Sequence, residues 1–339
     1  MEEILLIVDS EGKFRQDIQC WDGIDLKKYI SVIETNGYKI KLTNYDEIIN
    51  GIGIKNIVGK KIFYTSSQKL KYKEYMDDIL FELSKDNELI PRYEIFKAHE
   101  NKTYQELYKQ RIGINSLDSY SFGCLKDICK YEHNIKFPVV LKLLTGAGGA
   151  GVTLAKNFTE LETKIKNNTE EKFNLSFEVK KLLKKYVFKK RYHEGFYGID
   201  KNIGRYMLQE FVPNLNEDWK VLVFGEKYYV LNRKTRENDF RASGSGKLSY
   251  LEAPLEVLKF AKECFTKLNI PVASFDVCID SNQKCYLVEY QGLHFGPYTL
   301  MYSNWYYENK NDIFIKKEGK SDLAKEYAGA HINFLKRSN

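Results

Sequence analysis

The sequence predicts an α/β (α+β) protein, and three observations carry that expectation. The first 97 residues alternate strand and helix signals, a βαβ rhythm that implies a small parallel sheet. An apolar strand at 137–141 runs into a glycine-rich stretch and then into β-branched residues again. The remaining body reads as consecutive hairpins. With 339 residues, 43% of them hydrophobic, the chain is long enough for two or three domains with real cores. The changes in pattern divide it at 1–97, 98–205 and 206–339.

Taken in order, Ile4–Val8 is a buried-type strand, and 25–35 is an amphipathic helix with Leu26, Ile30 and Ile33 on one face. Tyr38–Leu42 and Lys61–Thr65 are strands, and 72–83 is a helix. Residues 98–133 read as helical and connective, with Asn101-Lys-Thr-Tyr opening a helix. Residues 137–154 form a glycine hairpin. The stretch 158–194 is helical and basic, carrying Lys180, Lys181, Lys184, Lys185, Lys189, Lys190 and Arg191. Such a run tracks phosphates or is a solvated helix face, here with Val179, Leu182, Leu183 and Val187 buried beneath; the solvated face is preferred. Further on, 206–212 is a strand, 219–224 and 227–232 form a hairpin around Gly225-Glu226, and 257–268 is a helix. Residues 274–279 and 285–290 form a second hairpin around Asp280-Ser-Asn-Gln.

Composition narrows the function classes. The formal charge of +7 is mild for this length and does not by itself indicate nucleic acid, but it suits anionic small molecules. Cysteines 20, 124, 129, 264, 278 and 285 show neither C-x-x-C pairing nor zinc spacing, which favours a reduced, cytoplasmic protein. The first residues, Met1-Glu-Glu-Ile-Leu-Leu-Ile-Val-Asp9, hold too short an apolar run for a signal peptide, and no run is long enough to span a membrane.

The glycine stretch is the strongest chemical signal. Lys142 ends an apolar strand, and four glycines follow at 146, 148, 149 and 151. Glycines let a backbone approach a ligand and present its N–H groups to an anion, and a lysine adds a point charge suited to phosphate. Gly146-x-Gly148-x-x-Gly151 also spells the dinucleotide fingerprint, but Val152, Thr153 and Leu154 read as a strand where that fingerprint needs a helix. A Walker A loop fails for want of Gly-Lys-Ser/Thr. What remains is a hairpin flap over phosphates, or a glycine turn with no ligand.

Two further groups lie in the C-terminal half. Asp276 and Glu289 sit in partner strands, and symmetric pairing of their hairpin would bring the carboxylates near each other. Gln291 points to the same face as Glu289. Hard oxygen ligands of this kind suit Mg²⁺ bridging nucleotide phosphates; a pair of carboxylates on the wet side of a sheet is the alternative. Asp218, Lys220 and Arg233 lie on or beside the middle hairpin, with Arg236 following. Arg241 lies in a glycine- and serine-rich loop built for phosphate or carboxylate oxygens, or in an ordinary surface loop.

The ordered set Lys102, Pro138-Val-Val-Leu-Lys142 with its glycine flap, Gln209-Glu210-Phe211-Val212, Asp218-x-Lys220, Arg233, Asp239-Phe-Arg241, Asp276 and Val288-Glu289-Tyr-Gln291 resembles the ATP-grasp superfamily. The match runs over about residues 98–300 and looks closest to the branch of ribosomal-protein glutamate ligases and D-alanine–D-alanine ligases. The resemblance implies an ATP-grasp fold behind a small parallel α/β domain. It implies ATP and Mg²⁺ as cofactors, with Mn²⁺ as a substitute. Lys102 and Lys142 would contact the phosphates under the flap glycines Gly148 and Gly149. Gln209, Glu210, Phe211 and Val212 would meet the adenine, and Glu217 the ribose. Asp276, Glu289 and Gln291 would hold the metal. Arg241, with Lys220 and Arg233, would stabilise the phosphoryl group. Gln291 stands where the family usually has Asn, which moves the ligating carbonyl by one methylene.

The implied reaction joins a small-molecule carboxylate to an amine through an acyl phosphate, releasing ADP and phosphate. A kinase of the same fold needs the same ATP apparatus, and a catalytically dead nucleotide-binding protein is a third reading. His294 faces the acceptor or, the commoner fate, packs. Nucleic acid is disfavoured as a partner, membrane is not expected, and a homodimer is left open.

Overall fold

The computed structural model describes residues 2–15, 23–143, 151–168, 179, 182–184, 186–187, 202–237 and 239–338. They belong to two compact units: Met1–Leu117 with Val212–Asn339, and Asp118–Phe211.

In the first unit, β1 (Glu2–Val8), β2 (Tyr38–Asn44), β3 (Lys61–Tyr64) and β4 (Glu88–Ile90) form a parallel sheet in the order β2-β1-β3-β4. The expected βαβ rhythm is therefore present. Successive side chains of β1 divide between two cores. Ile4, Leu6 and Val8 pack with Tyr29 and Ile33 of the Leu26–Thr35 helix, whose Asp25 cap accepts from the Lys28 N–H. Leu5 and Ile7 pack with Met76, Ile79, Leu80 and Leu83 of the Leu70–Leu83 helix. A strand covered on both faces has to read as a continuous apolar run, and this one does.

The same unit holds a second sheet: β9 (Glu217–Phe224), β10 (Lys227–Lys234), β11 (Leu248–Ser249), β12 (Val272–Ile279), β13 (Cys285–Gln291), β14 (Trp305–Lys310) and β15 (Ile313–Glu318). The strand order is β13-β12-β9-β10-β14-β15, with β11 beside β10. The β9–β10 turn has Gly225 at φ +60°, the left-handed value that a type II′ hairpin requires at its first central position. Trp219, Val221 and Val223 face the Leu255–Leu268 helix; Leu222 and Phe224 face the parallel sheet's core.

Sequence reasoning passed over β14, β15 and the Leu323–Ser338 helix. A signal for the hairpin exists: Asn311 and Asp312 turn at φ +49° and +68°, the pair of left-handed residues of a type I′ turn. The final helix lays Tyr327, Ala328 and Leu335 into the same core as Tyr29 and Ile33.

In the second unit, β5 (Ser119–Cys124), β6 (Val139–Leu143), β7 (Val152–Ala155) and β8 (Ile203–Glu210) form a sheet in the order β5-β8-β6-β7. The stretch Ser119–Cys124, expected as connective, is thus a strand paired with β8. β6 and β7 pair antiparallel with Lys142 opposite Val152, as the hairpin reading requires. The tip, with Gly146, Gly148 and Gly149, lies outside the described residues, as do Cys20 and, from the basic run, Lys180, Lys181, Lys185, Lys189, Lys190 and Arg191. Leu141, Ala155, Leu161, Ile165 and Leu208 make the core. One expectation fails here. Val179, Leu182, Leu183 and Val187 are not buried under a basic face but 45–63% exposed. The Phe158–Asn167 helix already supplies Leu161 and Ile165 to this core, and Val179, Leu182, Leu183 and Val187 are not part of it.

Candidate functional site

The charged residues of the second half converge on one face of β9, β10, β12 and β13. Cross-strand register places Arg233 opposite Asp218, Lys220 opposite Asp276, and Asp276 opposite Glu289. Strand alternation sends their neighbours Trp219, Val221, Phe275 and Val277 to the apolar core on the other face.

The Arg233 guanidinium donates through Nε to Asp218 Oδ1 at 2.6 Å and through Nη2 to Asp218 Oδ2 at 2.8 Å, a bidentate fork. Its Nη2 also reaches Asp276 Oδ2 at 2.9 Å, while Lys220 Nζ lies 3.0 Å from Asp276 Oδ1. Two carboxylates therefore share one arginine, and the lysine serves only the second. Burial works against charge on Asp276, but Arg233 and Lys220 outweigh it and hold its carboxyl below the usual range. Burial pushes the Asp218 carboxyl up, against the pull of Arg233, and the Asp276 charge adds to the rise. The carboxylate with two cations keeps its charge most firmly, as Coulomb's law at these separations requires.

Glu289 and Gln291 lie beside this network, and Gln291 Nε2 donates to Glu289 Oε1 at 3.2 Å. The pairing that brings Glu289 to Asp276 is not symmetric. Val277 pairs with Leu287, but Asp276 pairs with Glu289, so Val288 is an extra residue in a bulge. Symmetric pairing about the Asp280-Ser-Asn-Gln turn would put Val288, not Glu289, opposite Asp276.

The group fits a divalent cation on one specific observation. Gln291 Oε1 is buried and has no hydrogen-bond partner, although its amide nitrogen is used. A spare carbonyl oxygen next to a carboxylate is a hard-oxygen pair, and Mg²⁺ needs only one or two carboxylates when phosphates and water complete its shell. Both Asp276 oxygens are already engaged by cations, so Glu289 and Gln291 carry the unused oxygens. Among the described residues, no three His, Cys, Asp or Glu side chains gather around a common point that could hold a metal.

The other expected residues fall as follows. Lys102 is the first residue of the Lys102–Arg111 helix and is buried, with the Asn101 cap accepting from the Tyr104 N–H. Lys142 and Gln209 are buried in β6 and β8. Glu210 ends β8 with an exposed side chain, and its N–H donates to Asp118 O at 2.8 Å. Phe211, Val212 and Glu217 are partly exposed. Arg241 is held within its own loop, its Nε reaching Asp239 Oδ2 at 2.8 Å. Gly148 and Gly149 lie outside the described residues. His294 is buried, with Nδ1 lacking a hydrogen-bond partner, and its carbonyl lies 3.1 Å from His99 Nε2. Burial pulls its imidazole down to about 4, so it is neutral at pH 7.

No protein-family model and no curated protein sequence matches the chain. Solved structures do. D-cycloserine synthetase DcsG is similar over 97% of this chain and 98% of that chain, with TM-score 0.53 and 9% identity. A RimK domain protein ATP-grasp from Sphaerobacter thermophilus is similar over 97% and 98%, with TM-score 0.51 and 11% identity. A RiPP-associated ATP-grasp ligase from Chryseobacterium gregarium, in complex with ADP and a leader and core peptide, is similar over 97% and 96%, also with TM-score 0.51 and 11% identity. Three likenesses along nearly the whole chain, joined to the sheet order and hairpins above, settle the architecture: this chain adopts the ATP-grasp fold.

Proposed function

We propose that this chain is an ATP-dependent ligase that joins a carboxylate to an amine through an acyl phosphate, with release of ADP and phosphate. The observation that carries the proposal is the row Asp218–Arg233–Asp276–Lys220 with Glu289 and Gln291 beside it. Such a row fixes two cations against two carboxylates, places free oxygen ligands beside them and presents no nucleophile. That is what phosphoryl transfer asks of a protein, since its catalysis is positioning and charge stabilisation.

In this reading Lys102, Lys142 and the backbone of Gly148 and Gly149 contact the ATP phosphates. Gln209, Glu210, Phe211 and Val212 take the adenine, and Glu217 the ribose. Glu289 and Gln291 hold Mg²⁺, which supplies charge neutralisation at the phosphates when bound, and Asp276 joins them once Lys220 or Arg233 releases one of its oxygens. Lys220 and Arg233 keep Asp276 ionised and add positive charge, and Arg241 meets the transferred group. The three-part division at 97 and 205 belongs to the same proposal. The similar structures include both D-cycloserine synthetase and a ligase with a bound peptide, so substrates are to be sought among small amines and peptides alike.

The first test is nucleotide binding: ADP with Mg²⁺ should raise Tm, and Glu289→Gln should remove the Mg²⁺-dependent part. No stabilisation by either ATP or ADP would end the proposal. The second is ADP release across a panel of carboxylates, with and without amines and peptides. Turnover that needs a carboxylate, and hydroxamate formed when hydroxylamine replaces the amine, support ligation. ADP release with a phosphorylated product and no coupling establishes the kinase instead.

A further inference from the structure

β13 carries Glu289 and Gln291 at the edge of its sheet, with β12 on one side only. Its outer edge is nevertheless not left to water. Lys109 Nζ donates to Leu287 O at 2.8 Å, and Leu287 N donates to Asn115 O at 3.2 Å. Asn115 Nδ2 donates to Cys285 O at 2.8 Å, and Gln105 Oε1 accepts from Tyr290 N at 3.3 Å. The Lys102–Arg111 helix and the residues just after it thus stand in for a neighbouring strand.

These contacts bracket the bulge. Leu287, before the extra residue Val288, is held through both its N–H and its carbonyl, and Tyr290, after it, through its N–H. Both side chains enter the apolar core, three residues apart, which a regular two-residue alternation does not allow. Glu289 lies between the two anchored residues. The anchoring group is itself costly: Lys109 is fully buried, paired at 2.5 Å with a buried Glu106 that also accepts from Ser116 Oγ at 2.8 Å. Apolar side chains would fill that space at no electrostatic cost, so a buried ion pair here points to a task beyond packing.

We infer that Lys109, Gln105 and Asn115 are positioning residues that hold the Val288 bulge and thereby aim the Glu289 carboxylate. The part of this inference that concerns metal rests on the ligase reading; the part that concerns the bulge does not. The same helix begins at Lys102, so the phosphate lysine and the metal-ligand strand would move as one body.

The test compares wild type, Lys109→Met, the charge-balanced pair Glu106→Gln with Lys109→Met, and Glu289→Gln. Hydrogen exchange of 285–291 and 272–279 is measured, with Mn²⁺ affinity in the presence of ADP by electron paramagnetic resonance. Removing Lys109 should raise exchange at 287–291 about tenfold, leave 272–279 unchanged, and weaken Mn²⁺ about tenfold, the scale at which groups behind a ligand act. ADP affinity without metal should stay within about twofold. The double variant guards against failure to fold, since it leaves no unpaired charge. Unchanged exchange at 287–291 overturns the inference. So does wild-type Mn²⁺ affinity in the Lys109 variants when Glu289→Gln weakens it. If Glu289→Gln also leaves Mn²⁺ binding intact, the metal reading fails, and raised or unchanged exchange decides the bulge alone.

Discussion

Replacing Arg233 by methionine should expose how far this site stores its energy in one side chain. Arg233 is 6% exposed and faces two carboxylates at 2.6–2.9 Å. Removing it leaves Asp218 and Asp276 facing each other with only Lys220 for compensation. Taking one partner from a buried pair costs about 3–5 kcal/mol. For a body of this size that corresponds to a Tm drop of roughly 6–20 °C. The pH dependence carries the sharper test. In the wild type Asp276 has its pKa depressed by Arg233 and Lys220, so its stabilisation is present above the unfolded carboxylate pKa and lost as pH falls through the folded one. In the variant, burial and the charge of each carboxylate on the other raise both carboxyls, so lowering the pH from 7.5 toward 5 should relieve the strain. The gap in Tm between wild type and variant should therefore narrow on acidification. Thermal scans across that range check it, with Asp276→Asn added to Arg233→Met as the rescue. A Tm loss below about 3 °C at pH 7.5, or a gap that does not change with pH, would refute the reasoning.

Burial holds His294 and His331 down to about 4, so each favours the fold above the unfolded histidine pKa near 6.5 and loses that contribution as pH falls toward 4. At full effect each costs about 3 kcal/mol, and His331→Gln should flatten the fall of Tm between pH 6.5 and 4. Gly225→Ala should destabilise by about 1 kcal/mol or more in denaturant titration, because φ +60° is strained for any side chain and the added Cβ would meet Asn333 Nδ2 at 3.2 Å. Leu141→Ala should cost about 2–5 kcal/mol, read as earlier urea unfolding of residues 118–211, since Leu141 is fully buried. Glu289→Gln should weaken Mn²⁺ by at least tenfold with ADP present, measured by electron paramagnetic resonance.

Part of the fold is legible in the sequence alone. The βαβ run of β1 to β3, the β6–β7 hairpin and the β9–β10 turn at Gly225 all follow from local patterns, because period, apolar runs and a glycine needing positive φ are properties of neighbours in sequence. The ordered charged residues were legible as well. What they do to one another was not. The sequence marks Asp276 as a carboxylate suited to a metal, yet its nearest cations are Lys220 and Arg233 from two other strands. Val179, Leu182, Leu183 and Val187 look like a buried stripe in the sequence because helical spacing says which side chains share a face, and says nothing about whether a core lies opposite.

The sequence by itself thus determined most of the element types and the order of the glycine-rich and charged motifs, since these are short-range matters of propensity and chemistry. Only the tertiary structure decided that Glu289, through one extra residue in β13, stands opposite Asp276, and that Lys109 from a distant helix holds that strand edge. Strand register and edge partners arise from packing between segments far apart in the chain, and a one-residue bulge leaves no local signature strong enough to read.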